Sequence, residues 1–164
     1  MGTGKTSVGQ AVAAELGMRF VDMDDAIVAR AGKPIPRIFA EDGEAAFRAL
    51  ERAVVVDLAA SRGIVIATGG GVVLDPDNMA DYSRSGIVIC LQAAPEVILE
   101  RVAHDTNRPL LYTDDKLGRI RELLAARQAL YDAIPVQIQT GTLTRRQVAA
   151  AVIARYRQDT SDVS

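Results

Sequence analysis

This 164-residue sequence predicts an α/β fold in which helices cover both faces of a central parallel sheet. Two observations carry that expectation. Short apolar runs alternate along the chain with segments whose apolar residues recur at helical spacing. The runs themselves, of which Ile64-Val65-Ile66-Ala67 is the clearest, are apolar at successive positions, as strands buried on both faces are. A single domain over residues 1–164 suits this length, and 49% hydrophobic residues can fill one core without disulfide or metal staples.

The elements follow in order. Val8, Val12, Ala13 and Leu16 share one helix face, and Gly17 is placed to end that helix. Residues 19–23 read as a short strand ending in acid, and Asp24 or Asp25 can cap a helix running to Ala31, ahead of Gly32. A short helix is expected over 34–40. A long amphipathic one follows over 44–61, with Phe47, Leu50, Val54 and Leu58 on one face. The strand at 64–67 stops at Thr68-Gly69-Gly70-Gly71, and residues 87–91 repeat the apolar signature. Pro95 opens the next helix, a polar stretch containing Pro109 occupies 105–115, and a helix is expected over 116–132. A strand at 136–139 precedes a last helix, whose start at Thr144 with Gln147 three residues on has the capping-box pattern. No repeat, low-complexity tract or linker interrupts this order.

Composition removes several function classes. A net charge of -2, from 19 Lys+Arg against 21 Asp+Glu, supplies no basic field for nucleic acid or an anionic membrane. Any bound anion must be held locally. The tyrosines and Phe20 are too scattered for a base-stacking platform, and no His/Cys cluster suggests zinc. No run approaches the roughly 18 apolar residues of a membrane span, and no secretory leader is seen. The single cysteine, Cys90, lies in an apolar run and reads as a buried thiol, in keeping with a reducing, cytoplasmic setting. Met1-Gly2 with Thr6 meets the loose myristoylation pattern, yet those residues have a better use. His104, the one histidine, stands beside Asp105 near a helix end and reads as solvated.

That better use is phosphate binding. Gly2-Thr3-Gly4-Lys5-Thr6-Ser7 matches the back of the loop pattern G-x-x-x-x-G-K-[ST]. Glycines let backbone N–H groups approach phosphate oxygens, the following helix aims its positive end at the same anion, Lys5 neutralises charge, and Thr6 offers Mg²⁺ a hydroxyl. Asp22 and Asp24, alternate residues at a strand end, share a direction. One is suited to Mg²⁺ and the other to accepting a hydroxyl proton. Three glycines after a buried strand suit close approach of a ligand to main chain. Arg48 on the long helix has Glu51 one turn on as an orienting partner. Arg108 sits in the polar stretch as a lid residue does, and Arg127 lies late in a helix.

Taken together, these pieces resemble the shikimate kinase family over nearly the whole chain. The matching segments are Gly2-Thr3-Gly4-Lys5-Thr6, Asp22-Met23-Asp24, Ile38-Phe39, Gly43-Glu44, Phe47-Arg48 with Glu51, Thr68-Gly69-Gly70-Gly71-Val72-Val73, Arg108-Pro109-Leu110-Leu111, and Arg127 with Leu130-Tyr131. The resemblance implies a P-loop, nucleoside-monophosphate-kinase-like three-layer sandwich. It also implies a transferase activity, ATP- and Mg²⁺-dependent phosphorylation of the 3-hydroxyl of shikimate in aromatic amino-acid biosynthesis, carried out by a cytoplasmic monomer. By the same resemblance Lys5 and Thr6 serve ATP and Mg²⁺, Asp22 is the metal-linked acid, and Asp24 binds the reacting hydroxyl. Arg48 and Arg127 hold the substrate carboxylate, Gly69, Gly70 and Gly71 line the substrate pocket, Arg108 is the lid arginine over about 105–115, and Arg101 lies beside adenine.

One departure accompanies the resemblance. The loop's first glycine and the central first strand that would precede it are missing from this chain. Residues 1–164 are therefore expected to bind ATP poorly and melt early. Rival readings are another small-metabolite kinase of the same architecture, such as a gluconate kinase, and a nucleotide-binding module without turnover.

Overall fold

The computed structural model describes residues 2–103 and 113–161. Gly4, at φ 89, is the N-cap of α1 (Lys5–Leu16), and Gly17 ends that helix in the left-handed region with its N–H on the carbonyls of Ala13 and Ala14. β1 (Arg19–Asp22) follows and leads directly into α2 (Met23–Ala31). The cap of α2 is Asp22, whose carboxylate accepts from the Asp24 N–H at 3.0 Å. Asp24 and Asp25 instead fill the first helical turn, where their charge favours the helix N-terminus. The expectation that Asp24 or Asp25 caps α2 is corrected: the cap is Asp22, two residues before the first of them.

α3 (Ile35–Glu41) and α4 (Gly43–Ala59) come next, then β2 (Ile64–Ala67) and a 3₁₀ turn at Val72–Leu74. α5 (Pro76–Ser85), absent from the sequence-based expectation, begins with Pro76 in its first turn and Asp75 accepting from the Asp77 N–H. β3 runs Ile89–Gln92 rather than 87–91, because parallel pairing with β4 (Val136–Gln139) sets Ile89 opposite Val136 and Gln92 opposite Gln139. Between them lie α6 (Pro95–Val102) and α7 (Lys116–Asp132). α8 (Arg145–Ser161) closes the chain behind the expected capping box: Thr144 Oγ1 accepts from the Gln147 N–H at 3.3 Å, and Gln147 Oε1 accepts from the Thr144 N–H at 2.9 Å.

Helices cover both faces of the strands. Val8 and Val12 of α1 pack with Val148, Ala149 and Ile153 of α8 against Val65, Leu91 and Ile138. On the other face Met23, Ile27, Phe47, Val54 and Val55 form the main core with Ile66, Tyr82 and Cys90. A third cluster, Ile98, Val102 and Ile120, joins α6 to α7. This is the layered arrangement the alternating sequence predicts.

The strands form two parallel pairs rather than one continuous sheet. β1 pairs with β2, Arg19 opposite Ile64 and Asp22 opposite Ala67, and β3 pairs with β4. Among the described residues no strand bridges β2 to β3, and a cavity of about 360 Å³ borders Val65, Ile66, Ile89, Leu91 and Val12 there. The position expected for a central strand holds none of the described residues. All four strands end at Asp22, Ala67, Gln92 and Gln139, so the segments that follow them are where a parallel α/β fold places a ligand.

Candidate active site

A cleft of about 660 Å³ opens beyond those strand ends. Its lining comes from the glycine-containing loop, from Asp22 and Asp24 after β1, from α4, from residues 68–71 after β2, and from α6, α7 and the start of α8. Among the described residues, Lys5, Arg48, Arg101, Arg127 and Arg145 line it against Asp22, Asp24 and Glu51. A chain of net negative charge thus concentrates positive charge in one concavity, which is the local anion-holding device its overall charge requires.

Gly2, at φ 62, and Gly4 hold left-handed backbone in the loop, where a side chain would be strained. A Cβ on Gly2 would also lie 3.0 Å from both Ile98 and Val102. Ser7 turns its hydroxyl back to the Gly4 carbonyl at 3.1 Å, bracing the loop against α1. The Thr3 hydroxyl is buried without a hydrogen-bond partner among the described residues, and Thr3 borders the cleft. Phosphate oxygens would supply the missing partner.

Thr6 donates its hydroxyl proton to Asp22 Oδ2 at 2.8 Å. The two expected metal-associated residues are therefore neighbours, one on α1 and one at the end of β1. Two hard oxygen donors beside a phosphate loop fit Mg²⁺, which retains waters and takes one or two carboxylate contacts besides the phosphates of its ligand. Asp24, one residue into α2, reaches the same cleft. Its Oδ1 stands 3.4 Å from where a Cβ of Gly69 would be. The shared direction expected of Asp22 and Asp24 is thus achieved by a strand-to-helix turn instead of an extended strand.

Near Asp24, whose Oδ1 shares the surroundings of Gly69 with Glu51 Oε2, Arg48 donates to Glu51 Oε1 at 2.8 Å and to Glu44 Oε1 at 3.1 Å. Glu51 is 2% exposed. Burial pushes its carboxyl above the usual carboxylate range, and pairing with Arg48 opposes that shift without cancelling it. Burial also works against the charge on Arg48, but Glu51 and Glu44 outweigh it and hold the guanidinium ionised. Gly71 leaves room for this arginine, since a Cβ there would meet Nη1 at 2.6 Å. Arg127, buried on α7, lines the same pocket. One turn on, Tyr131 donates to the Gly70 carbonyl at 2.7 Å and pins the triple-glycine loop to α7.

The structure therefore gathers Gly2, Thr3, Gly4, Lys5, Thr6, Ser7, Asp22, Asp24, Arg48, Gly69, Gly70, Gly71, Arg101 and Arg127 around one cleft. Arg108 and His104, with most of the expected lid, lie outside the described residues. Glu51, expected to orient Arg48, does so as a buried acid. Two parts of the lining are not among the expected site residues. Ile35, Phe39 and Phe47 make an apolar wall; Phe39 and Phe47 lie in segments that carry the family resemblance, and for Ile35 the only signal is the expected short helix. Arg145, first residue of α8, also faces the cleft and carried no signal in its local sequence.

Known proteins share both this sequence and this architecture. The sequence model of the family described as shikimate kinase matches residues 1–157. A shikimate kinase of Thermodesulfovibrio yellowstonii is 44% identical over 158 residues, 96% of this chain and 91% of that protein. One from Halorhodospira halophila is 45% identical over 154 residues, 93% of this chain and 87% of its own length. Among solved structures, the shikimate kinase from Acinetobacter baumannii in complex with shikimate superposes with a TM-score of 0.92 at 35% identity, covering 97% of this chain and 89% of that one. The Aquifex aeolicus shikimate kinase gives 0.83 at 29% identity, over 98% and 94%. With a family match over nearly its whole length and relatives well above 40% identity, on a fold whose cleft collects the residues expected of that family, the chain belongs to the shikimate kinase family.

Proposed function

We propose that this protein transfers the γ-phosphate of ATP to the 3-hydroxyl of shikimate, with Mg²⁺, giving shikimate 3-phosphate and ADP. The observation that carries the reading is that two buried or half-buried arginines, Arg48 and Arg127, line one cleft together with a phosphate loop and Asp24. A hydroxylated carboxylate needs this pairing: planar guanidinium donors for the carboxylate at one end, and a base near the reacting hydroxyl at the other.

In this mechanism the loop backbone and Lys5 hold the ATP phosphates, and Thr6 and Asp22 are the residues that would hold Mg²⁺. The metal's chemistry is neutralisation of charge on the β- and γ-phosphates. Arg48, aimed by Glu51, and Arg127 fix the shikimate carboxylate, while Gly69, Gly70 and Gly71 let the ring approach main chain. Asp24 accepts a hydrogen bond from the 3-hydroxyl and takes its proton as the oxygen attacks phosphorus and the bond to the bridging oxygen of ADP breaks. Arg101 serves the nucleotide side. Arg108, in a lid over about 105–115 of the single domain, supplies a further cation to the transferring group, a role that rests on the family resemblance.

The protein is further proposed to act as a cytoplasmic monomer on a small molecule, without nucleic-acid or membrane partners. No helix among the described residues is long and apolar enough to cross a membrane. The test is ADP release with ATP, Mg²⁺ and either shikimate or gluconate, beside equilibrium binding of both acceptors. Turnover confined to shikimate supports the proposal. Turnover with gluconate would assign a different small-metabolite kinase, and shikimate binding without ADP release a non-catalytic module.

A further inference from the structure

We infer that Thr140 is a positioning residue for nucleotide binding, acting through Arg101 on the phosphate loop. Thr140 directly follows β4 and is 1% exposed. Its hydroxyl donates to the Gln92 carbonyl at the end of β3, at 3.0 Å, and its N–H donates to the same oxygen at 2.7 Å. The hydroxyl's single proton is thereby committed, and its remaining lone pairs face Arg101. Arg101 Nη1 donates to Thr140 Oγ1 at 3.0 Å, and Nη2 donates to the Thr140 carbonyl at 2.9 Å. The same Nη1 reaches the Gly2 carbonyl at 3.4 Å.

The guanidinium is thus held in a fork by one buried residue, and the Nη1 that Thr140 holds is the same nitrogen that steadies the Gly2 carbonyl of the loop. Arg101 is exposed on the last turn of α6, and a long side chain there samples many rotamers unless something fixes it. Thr140 fixes it from a point already anchored to two strand ends. The orientation of Arg101 in the cleft, and the steadiness of the Gly2 backbone, are therefore set by a threonine that need not touch the nucleotide. The inference rests on the proposed nucleotide-side role of Arg101, and the experiment separates the two.

Dissociation constants for a fluorescent ATP analogue, and KM for ATP and for shikimate, are measured for Thr140→Val, Thr140→Ser, Arg101→Ala and the Thr140→Val/Arg101→Ala double variant. Thr140→Val removes one of the two bonds that hold Arg101 and leaves the one to the Thr140 carbonyl, so nucleotide binding is expected to weaken roughly five- to tenfold, less than for loss of a direct charge-assisted contact. The KM for shikimate is expected to move by less than about twofold, a split that loss of packing alone does not produce. Thr140→Ser, which keeps the hydroxyl, restores nucleotide affinity, and Thr140→Val adds nothing once Arg101 is alanine. Unchanged nucleotide affinity in Arg101→Ala would overturn the role of Arg101 and the inference with it. A loss in Arg101→Ala that Thr140→Val does not share, or fully additive effects in the double variant, would overturn the positioning role alone. Should Thr140→Val fail to fold, Thr140→Ala takes its place by the same rule: unchanged nucleotide affinity beside a loss in Arg101→Ala would overturn the positioning role.

Discussion

Thr6 and Asp22 are joined by a 2.8 Å hydrogen bond between helix α1 and the end of strand β1. Asp22 also caps α2 through its other oxygen, so one carboxylate ties a loop, a strand and a helix together. Asp22→Asn keeps the shape, removes the charge and weakens the proposed metal contact. A loss of about 10- to 100-fold in apparent Mg²⁺ affinity is expected, read from the Mg²⁺ dependence of ADP release. A Mg²⁺ curve identical to that of the unsubstituted protein would refute the assignment.

Gly71→Ala places a Cβ where Arg48 now lies, 2.6 Å from Nη1. The guanidinium must move, and with it one end of the proposed carboxylate grip. A rise in KM for shikimate of roughly tenfold or more is expected, with KM for ATP little changed, because one charge-assisted contact is worth about 1.5–3 kcal/mol. Equal effects on both substrates would point to collapse of the whole cleft instead.

Glu51 has a folded-state pKa raised by burial above its ordinary value of 4.5. Its contribution to stability is fully present below the unfolded pKa and is lost as pH rises through the higher folded value. Urea midpoints of the unsubstituted protein relative to Glu51→Gln are therefore expected to fall as pH is raised from 4 toward neutrality. The same variant, with Arg48 deprived of its buried anion, raises KM for shikimate. A pH-independent stability difference would exclude this account.

Tyr131→Phe removes the 2.7 Å bond to the Gly70 carbonyl and leaves that oxygen partly buried. A cost of about 1 kcal/mol is expected, seen as a fall in Tm of roughly 2–4 °C. The shikimate KM rises with it, because the triple-glycine loop loses its tether to α7.

The two strand pairs make a prediction about exchange. Amides of β2 and β3 that point toward the cavity between the pairs have no strand partner among the described residues, whereas those facing β1 and β4 are paired. Hydrogen exchange resolved by residue is expected to alternate along β2 and β3, fast toward the cavity and slow toward the partner strand. Uniform protection across both strands would show that the gap is filled.

Local sequence carried most of the architecture and less of the site. Helix periods, Gly17, Pro95 and the Thr144–Gln147 box placed α1, α6 and α8 because their causes lie within a few residues. α5 escaped because PDNMADYSRS is polar with only Asn78 and Tyr82 buried, although Asp75-Pro76 is an ordinary helix start. The start of β3 shifted because its register answers to β4, 47 residues away by the Ile89–Val136 pairing. At the site, motif residues were legible by spacing. The threonine that holds Arg101, and the closeness of Gly71 to Arg48, depend on contacts between distant segments and have no local signature.

The hook between Tyr131 and Gly70 also has an optical consequence. The sequence contains no tryptophan, so its intrinsic near-ultraviolet emission comes from four tyrosines. Tyr131 donates to a carbonyl, a contact expected to quench a phenol's emission, at the loop where the acceptor would sit. Any ligand that shifts Gly70 alters that quenching, so the protein carries a native, label-free indicator of occupancy at its own pocket.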